Sequence, residues 1–452
     1  MQRDLTNGKI TVNILLFALP LMVGNLLQQM YNIADTWVVG RYIGEGALAA
    51  VGSSYSLMTF LTSIIIGLCM GSGTAISIQY GRRESRKMRQ SVYMSFVLIA
   101  TITILLNIIV WAGMNVILTW LNIPANVRPL MKDYLNIIYA GILAVFLYNY
   151  FANILRAIGN STLPVVFLAI SAVLNIALDL IFVIVFHWGV RGAAAATVIA
   201  QYVSALGMAA YVFVRCPELK PTKSDCVWDR ENLSGILSQS VMTSVQQSIM
   251  NLGILMVQGI VNGFGTVVMA AFAAAVKIDA FAYMPVQDFG NAFSTYVAQN
   301  YGAGKTDRIK NGIKSSLITV AVFCAVISSV IFAFAGRLMA IFVGAEKTDV
   351  ISVGAHYLQI EGACYIGIGI LFMLYGYYRA IDKPWMSVVL TVASLGTRVV
   401  LAYTLSRIAF IGVTGIWVSV PIGWALADVI GCVYYACKCR KTHKIPERHN
   451  EL

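Results

Sequence analysis

The amino-acid sequence predicts an all-α membrane protein, with twelve transmembrane helices in two parallel repeats of six. Three observations carry that expectation. Of the 452 residues, 59% are hydrophobic and only 12% are charged, against about 25% charged in a soluble domain. The apolar residues fall in blocks of twenty or more, enough to cross a hydrocarbon core of ~30 Å as helices. These blocks do not alternate as the strands of a membrane barrel would. Finally, the second half of the chain repeats the first in register.

The spans read, in order, as residues 12–39, 47–80, 91–118, 133–156, 163–187 and 190–215, then 234–262, 268–300, 312–336, 352–379, 386–408 and 412–437. The first apolar block, Ile10 to Val39, exceeds the core of a signal peptide and is interrupted by Gln28, Gln29, Asn32 and Asp35, so it reads as a retained span. This gives an N-terminal lobe over 1–215, a polar linker over 216–232 with two prolines and mixed charge, a C-terminal lobe over 233–437 and a basic tail over 438–452.

A net charge of +12 can mean a nucleic-acid partner, but here the charges sit in short loops between spans. With both termini and the even-numbered loops on one side, that side holds 23 of the 32 Lys and Arg and the other holds 7. The positive-inside rule then places both termini in the cytoplasm. Membrane lipids, anionic headgroups above all, are the expected partner of the excess, and nucleic acid is not. The eight cysteines show no disulfide spacing. Cys432, Cys437 and Cys439 with His443 form a loose cluster that reads as reduced thiols at a helix end rather than as a metal site.

The repeat is direct. At a shift of 223 residues, Tyr134-Leu135 falls on Tyr357-Leu358, Arg156-Ala157-Ile158 on Arg379-Ala380-Ile381, and Gly189-Val190 on Gly412-Val413. Nearer the start of each half, Tyr80-Gly81 falls on Tyr301-Gly302 at a shift of 221. Each half has an even number of spans, so both point the same way, as in parallel-repeat transporters. Two such lobes around one cavity can rock between inward-open and outward-open states.

A carboxylate inside a bilayer costs ~2.5–3.5 kcal/mol on insertion scales and calls for a function. Asp35 shares a helical stripe of span 1 with Asn32, Tyr31 and Gln28. In span 5, Asp179 lies four residues after Asn175, and span 6 adds Thr197. These residue types ligate a hard cation through oxygen or hold a proton. The alternative is an interhelical hydrogen bond that only joins helices. The repeat argues for ion chemistry: Asn175 corresponds to Arg398, Asp179 to Ala402 and Thr197 to Val420, so only one lobe keeps the set. Asn149 and Asn153 share a face of span 4 and line the cavity on one reading, while joining helices on the other. The sequence assigns no role to Lys277, Asp279, Asp288, Glu361, Arg398 or Asp428. Pro20 lies in span 1, where it either bends the helix in step with Asp35 or sits in the first turns at little cost. No phosphate-binding loop and no protease or hydrolase motif occurs, so direct ATP coupling and enzymatic chemistry have no support.

Asp35-Thr36, Gly40-Arg41, Gly44 and the run Ala47-Leu48-Ala49-Ala50-Val51-Gly52 resemble the first span and loop of the multidrug and toxic compound extrusion (MATE) family. Leu155-Arg156-Ala157-Ile158-Gly159 and Tyr378-Arg379-Ala380-Ile381-Asp382 resemble its marks after spans 4 and 10. The resemblance implies a V-shaped pair of six-helix lobes in the bacterial cytoplasmic membrane, working as a monomer. It implies a sodium- or proton-coupled antiporter that exports amphipathic, cationic, drug-like compounds, with no cofactor beyond the coupling ion. A lipid-linked oligosaccharide flippase of the same superfamily is the alternative. The chain is more similar to the DinF-like and MepA-like branches than to the NorM-like one. Asp35, Asn175, Asp179 and Thr197 match the DinF-like cation site one by one, and would hold Na+ if sodium is the ion. Gln28, Tyr31 and Asn32 fall among the expected substrate-facing residues, and Pro20 where that branch has a bending proline. The acidic residue that NorM-like members carry in span 7 is absent, leaving Glu361 or Asp279 to substitute for it.

Overall fold

The computed structural model describes residues 3–120, 127–408 and 410–439. The basic tail from residue 440 on, with His443, lies outside them. The first half holds α1 (Ile10–Tyr42), α2 (Glu45–Gly81), α3 (Ser85–Ala112), the short α4 (Met114–Trp120), α5 (Arg128–Ala157), α6 (Thr162–Asp179) and α7 (Gly189–Arg215). The second holds α8 (Arg230–Asn262), α9 (Thr266–Gly302), α10 (Thr306–Val343), α11 (Thr348–Ala363), α12 (Tyr365–Ala380), α13 (Pro384–Leu405) and α14 (Thr414–Tyr434). No strand occurs among the described residues.

Among the described residues, ten helices are long and apolar enough to cross a membrane, or up to eleven if α11 and α12, bent by 54°, count as one span. The stretch read from sequence as span 7 folds as the 33-residue α8. It falls short of the others in apolarity because Ser238, Gln239, Ser240, Thr243, Ser244, Gln246, Gln247, Ser248 and Asn251 run along it. Three spans that the sequence presents as unbroken carry interruptions. Gly113 caps α3 and separates it from α4, at a residue type that weakens a helix interior by ~1 kcal/mol. The α11–α12 break falls at Cys364, just after Gly362. Beyond Asp179, α6 gives way to a π-helical turn over Leu180–Val185.

Packing groups the chain as two compact units. One comprises residues 16–248 with the N-terminal stretch through Asp4, and the other comprises Leu5–Leu15 with the residues from Ile249 on. In the first unit, Phe96, Phe146, Tyr150 and Phe151 form an aromatic core between α3 and α5. Gly67 and Gly71 of α2 lie directly against the backbone of α8 at Ser244 and Gln239, where any Cβ would collide. This close approach of small residues is how helices associate where lipid supplies no hydrophobic drive. Ile104, Leu105, Ile108 and Ile109 of α3 are at least half exposed, a stripe suited to lipid.

In the second unit, Phe272, Tyr357 and Trp417 stack between α9, α11 and α14. The N-terminal segment is clasped there by Arg308, whose guanidinium donates to the carbonyls of Leu5, Asn7 and Gly8.

The turns repeat as the sequence does. Gly44 and Gly265, Arg83 and Gly304, Gly159 and Asp382, and Gly189 and Gly412 all take positive φ, and each pair is separated by one of the two register shifts. Glycine carries the strain in most of these turns, while Arg83 and Asp382 take the left-handed form without it.

Candidate ion-binding site

Three helices of the first unit converge on the site. Asp35 lies near the C-terminal end of α1, Asn175 and Asp179 sit one turn apart at the end of α6, and Thr197 lies in α7. Asp179 is fully buried and Asn175 nearly so, while Asp35 is half-buried with a covered Oδ1. The carboxyl groups of Asp35 and Asp179 lie within hydrogen-bonding reach of each other. The Asn175 amide nitrogen donates to Thr197 Oγ1 at 3.2 Å. Thr197 in turn donates to the carbonyl of Ala193 at 3.1 Å. This fixes the amide so that its oxygen is left over.

The pattern of unsatisfied atoms is informative. Asp35 Oδ1, Asn175 Oδ1 and both carboxyl oxygens of Asp179 are buried and receive no N–H or O–H donor. Buried acceptors left without donors cost ~1–3 kcal/mol each. Two adjacent carboxyls with no donor between them call for a proton or a cation. Oxygen atoms of carboxylate, amide and hydroxyl type are what a hard cation takes as ligands. The donor set fits. Among the described residues no three His, Cys, Asp or Glu side chains converge as a transition-metal site would require. The π-helical turn begins immediately after Asp179. Such turns are often found at functional positions because they re-aim side chains within a helix.

Tyr31 and Tyr134 complete the surroundings, both within electrostatic range of Asp35. Tyr134, from α5, is a residue the sequence reading did not assign to the site. Its echo in Tyr357 was the available signal. The other candidates make contacts of their own. Asn32 donates to Gln29 at 3.3 Å, and Gln28 is exposed. Asn149 and Asn153 donate to carbonyls of their own helix, at Val145 and Asn149. Pro20 is inside α1, ten residues from its start, rather than in the first turns.

The second unit has a polar cluster of different make. Asp279 of α9 and Glu361 of α11 are buried. Tyr365 donates its hydroxyl to Asp279 Oδ1 at 2.6 Å. Glu361 Oε1 is buried without a donor, and Arg398 Nε of α13 is buried without an acceptor.

The long apolar helices, with buried donor-free oxygens among them, define a multi-pass membrane protein. The chain is a member of the MatE family, whose pattern matches residues 20–181 and 241–404. It is a transporter rather than an enzyme, as are the family and the solved structures similar to it. It is 28% identical over 434 residues to the probable multidrug resistance protein YpnP of Bacillus subtilis, covering 96% of each chain. It is 27% identical over 432 residues to the probable multidrug resistance protein YoeA of the same organism, covering 93% of this chain and 92% of the relative. Its fold is that of a MATE transporter solved in a bent conformation, with a TM-score of 0.91 at 22% identity, covering 98% of each chain.

Proposed function

We propose that the chain is a cation-coupled multidrug exporter that works by alternating access in a bacterial cytoplasmic membrane. The observation that carries this reading is the set of donor-free buried oxygens on Asp35, Asn175 and Asp179. Asp35 and Asp179 exchange the coupling ion, with Asn175 and Thr197 as neutral ligands. If the ion is Na+, these four hold it. If it is H+, the carboxyl pair carries it. The ion site is charged when empty and compensated when filled. Its occupancy therefore biases any two conformations that expose it differently. One charge moving through ~100 mV supplies ~2.3 kcal/mol, enough for a ~40–50-fold gradient of a neutral substrate.

We read the architecture as twelve spans in two six-helix lobes, counting α8 as the seventh span and α11–α12 as the tenth. The register of left-handed turns and the likeness to solved MATE structures support this. Charge asymmetry supports cytoplasmic termini. The substrates are small amphipathic organic compounds, as the names of the relatives suggest.

The test is efflux of a fluorescent organic cation from vesicles carrying the purified protein, under imposed sodium or proton gradients. The Asp35→Asn variant is expected to fall to the leak rate. Undiminished gradient-driven efflux by that variant would sink the assignment. The gradient that drives the native protein identifies the ion.

A further inference from the structure

The second unit carries a surface that ion exchange does not use. Helices α13 and α14 pack closely, with Gly423 against the carbonyl of Ser394, where a Cβ would collide. Away from that contact, Val389 and Val392 of α13 and Val429 and Val433 of α14 are exposed. Spacings of three and four residues put each pair on one face of its helix. Exposed apolar faces of this kind suit acyl chains.

The two faces meet at one end. Trp385, 45% exposed, opens the α13 face and stands edge-on to Tyr434 at the end of α14, with ring centroids 5.6 Å apart. Lys383 Nζ lies 5.5 Å and Lys438 Nζ 5.8 Å from the centre of that same ring. Lys383 is the residue before α13, and Lys438 sits in the π-helical turn over Tyr435–Cys439 that follows α14. Tyr434 is itself held in place. The buried Tyr378 packs edge-on to it at 5.6 Å and donates its hydroxyl to the carbonyl of Gly431 at 2.6 Å. An aromatic face attracts an ammonium without cancelling its charge. Tryptophan and tyrosine favour the headgroup level of a membrane. Two ammonium groups from separate segments are therefore ordered at that level, at the head of an apolar face.

We propose that the α13–α14 face is a binding site for an anionic phospholipid. Lys383 and Lys438 take the headgroup phosphate, Trp385 and Tyr434 lie beside the glycerol, and the valines run along the acyl chains. The occupant is a lipid rather than a free anion, because the cations adjoin an apolar face that a soluble ion leaves uncovered. This goes beyond the transport reading and does not depend on which residues exchange the coupling ion.

The experiment titrates the full chain, in a neutral detergent, with dioleoylphosphatidylglycerol and counts retained lipid by native mass spectrometry. Zwitterionic dioleoylphosphatidylcholine is the comparison. The native protein is expected to retain the anionic lipid at a concentration lower by about tenfold or more, since each lysine beside an anionic headgroup contributes about fivefold. The double variant Lys383→Gln with Lys438→Gln is expected to lose that preference. Lys383→Arg with Lys438→Arg should keep it. So should Lys220→Gln with Lys223→Gln, which removes the same charge from exposed positions of the linker. Tyr434→Leu is expected to weaken retention by about threefold and Tyr434→Phe to leave it unchanged, because the ring and not the hydroxyl orders the cations. Should Tyr434→Leu fail to fold, the lysine series decides alone. The proposal is overturned if the double glutamine variant retains the anionic lipid as native protein does, or if the linker variant loses as much. It is also overturned if inorganic phosphate at equal concentration displaces the lipid, which would make the site one for a free anion.

Discussion

The acids of the two units share a repeat but not a chemistry. In the first unit, Asp35 and Asp179 face each other with covered oxygens that meet no donor, and the nearby Asn175 turns its amide nitrogen to Thr197 and leaves its oxygen free. In the second, Asp279 is met by a tyrosine hydroxyl, while Glu361 Oε1 is a single buried oxygen without a donor. The difference teaches that an intramembrane carboxylate is not by itself an ion site. What distinguishes Asp279 from the first-unit pair is that the protein supplies it with a hydroxyl donor.

Several substitutions break or sharpen this contrast. The largest effect is expected at the uncompensated pair: Asp179→Asn should abolish gradient-driven efflux as Asp35→Asn does, leaving passive leak. Residual coupling above leak in the Asp179 variant would mean that Asp35 works alone and that the pairing is incidental.

Next comes the scaffold of the first unit. Gly71→Leu places a side chain into the backbone of α8 at Gln239. Overpacking costs typically ~1–3 kcal/mol, and here the obstacle is backbone, which cannot rotate away. A marked fall in detergent melting temperature is expected, and an unchanged melting curve would contradict the close approach.

A smaller effect is expected at Thr197→Val. The Asn175 amide nitrogen loses its acceptor and is free to turn, so the oxygen is no longer held ready. Losing one buried hydrogen bond costs ~1–3 kcal/mol. The concentration of coupling ion giving half-maximal efflux should rise by about tenfold, with the maximal rate less affected. An unshifted half-maximal concentration would remove Thr197 from the site.

The smallest effect serves as a control outside the spans. Asp225 of the linker is buried and accepts from Arg89 at 2.7 Å and from Thr222. These partners, Arg89 first, hold its carboxyl well below the usual range. A depressed folded value means the stabilisation is fully present above the ordinary carboxylate range near pH ~4 and is lost as pH falls below it. Asp225→Asn should lower the melting temperature by about 1–2 °C at neutral pH and progressively less in acid. It should leave coupled efflux unchanged. A coupling defect in this variant would mean that the linker participates in transport.

Much of this molecule was legible in its sequence. Long apolar blocks can cross a bilayer only as helices, since every backbone group must be satisfied within the segment. The Tyr134/Tyr357 and Gly189/Gly412 echoes announced the repeat, and the backbone carries it in matched left-handed turns. Asp35, Asn175, Asp179 and Thr197 stood out because acids and amides are rare inside spans. The helical breaks at Gly113 and Cys364 did not stand out, because isolated glycines within apolar runs are common and most are tolerated. Tyr134 was not assigned to the site, because an aromatic residue at helical spacing looks like core until its neighbours are known. Asn149 and Asn153 share a helical face as their spacing said, yet spacing does not say that each amide bonds the carbonyl one turn back on its own helix.

The sequence alone determined the helical membrane class, the duplicated plan and the residue types available to hold an ion, because these follow from hydropathy, register and composition. Only the tertiary structure decided which oxygens go unsatisfied. Whether an acid meets a hydroxyl, a guanidinium or another acid depends on how separate helices pack, and the spacing within any one helix cannot show it.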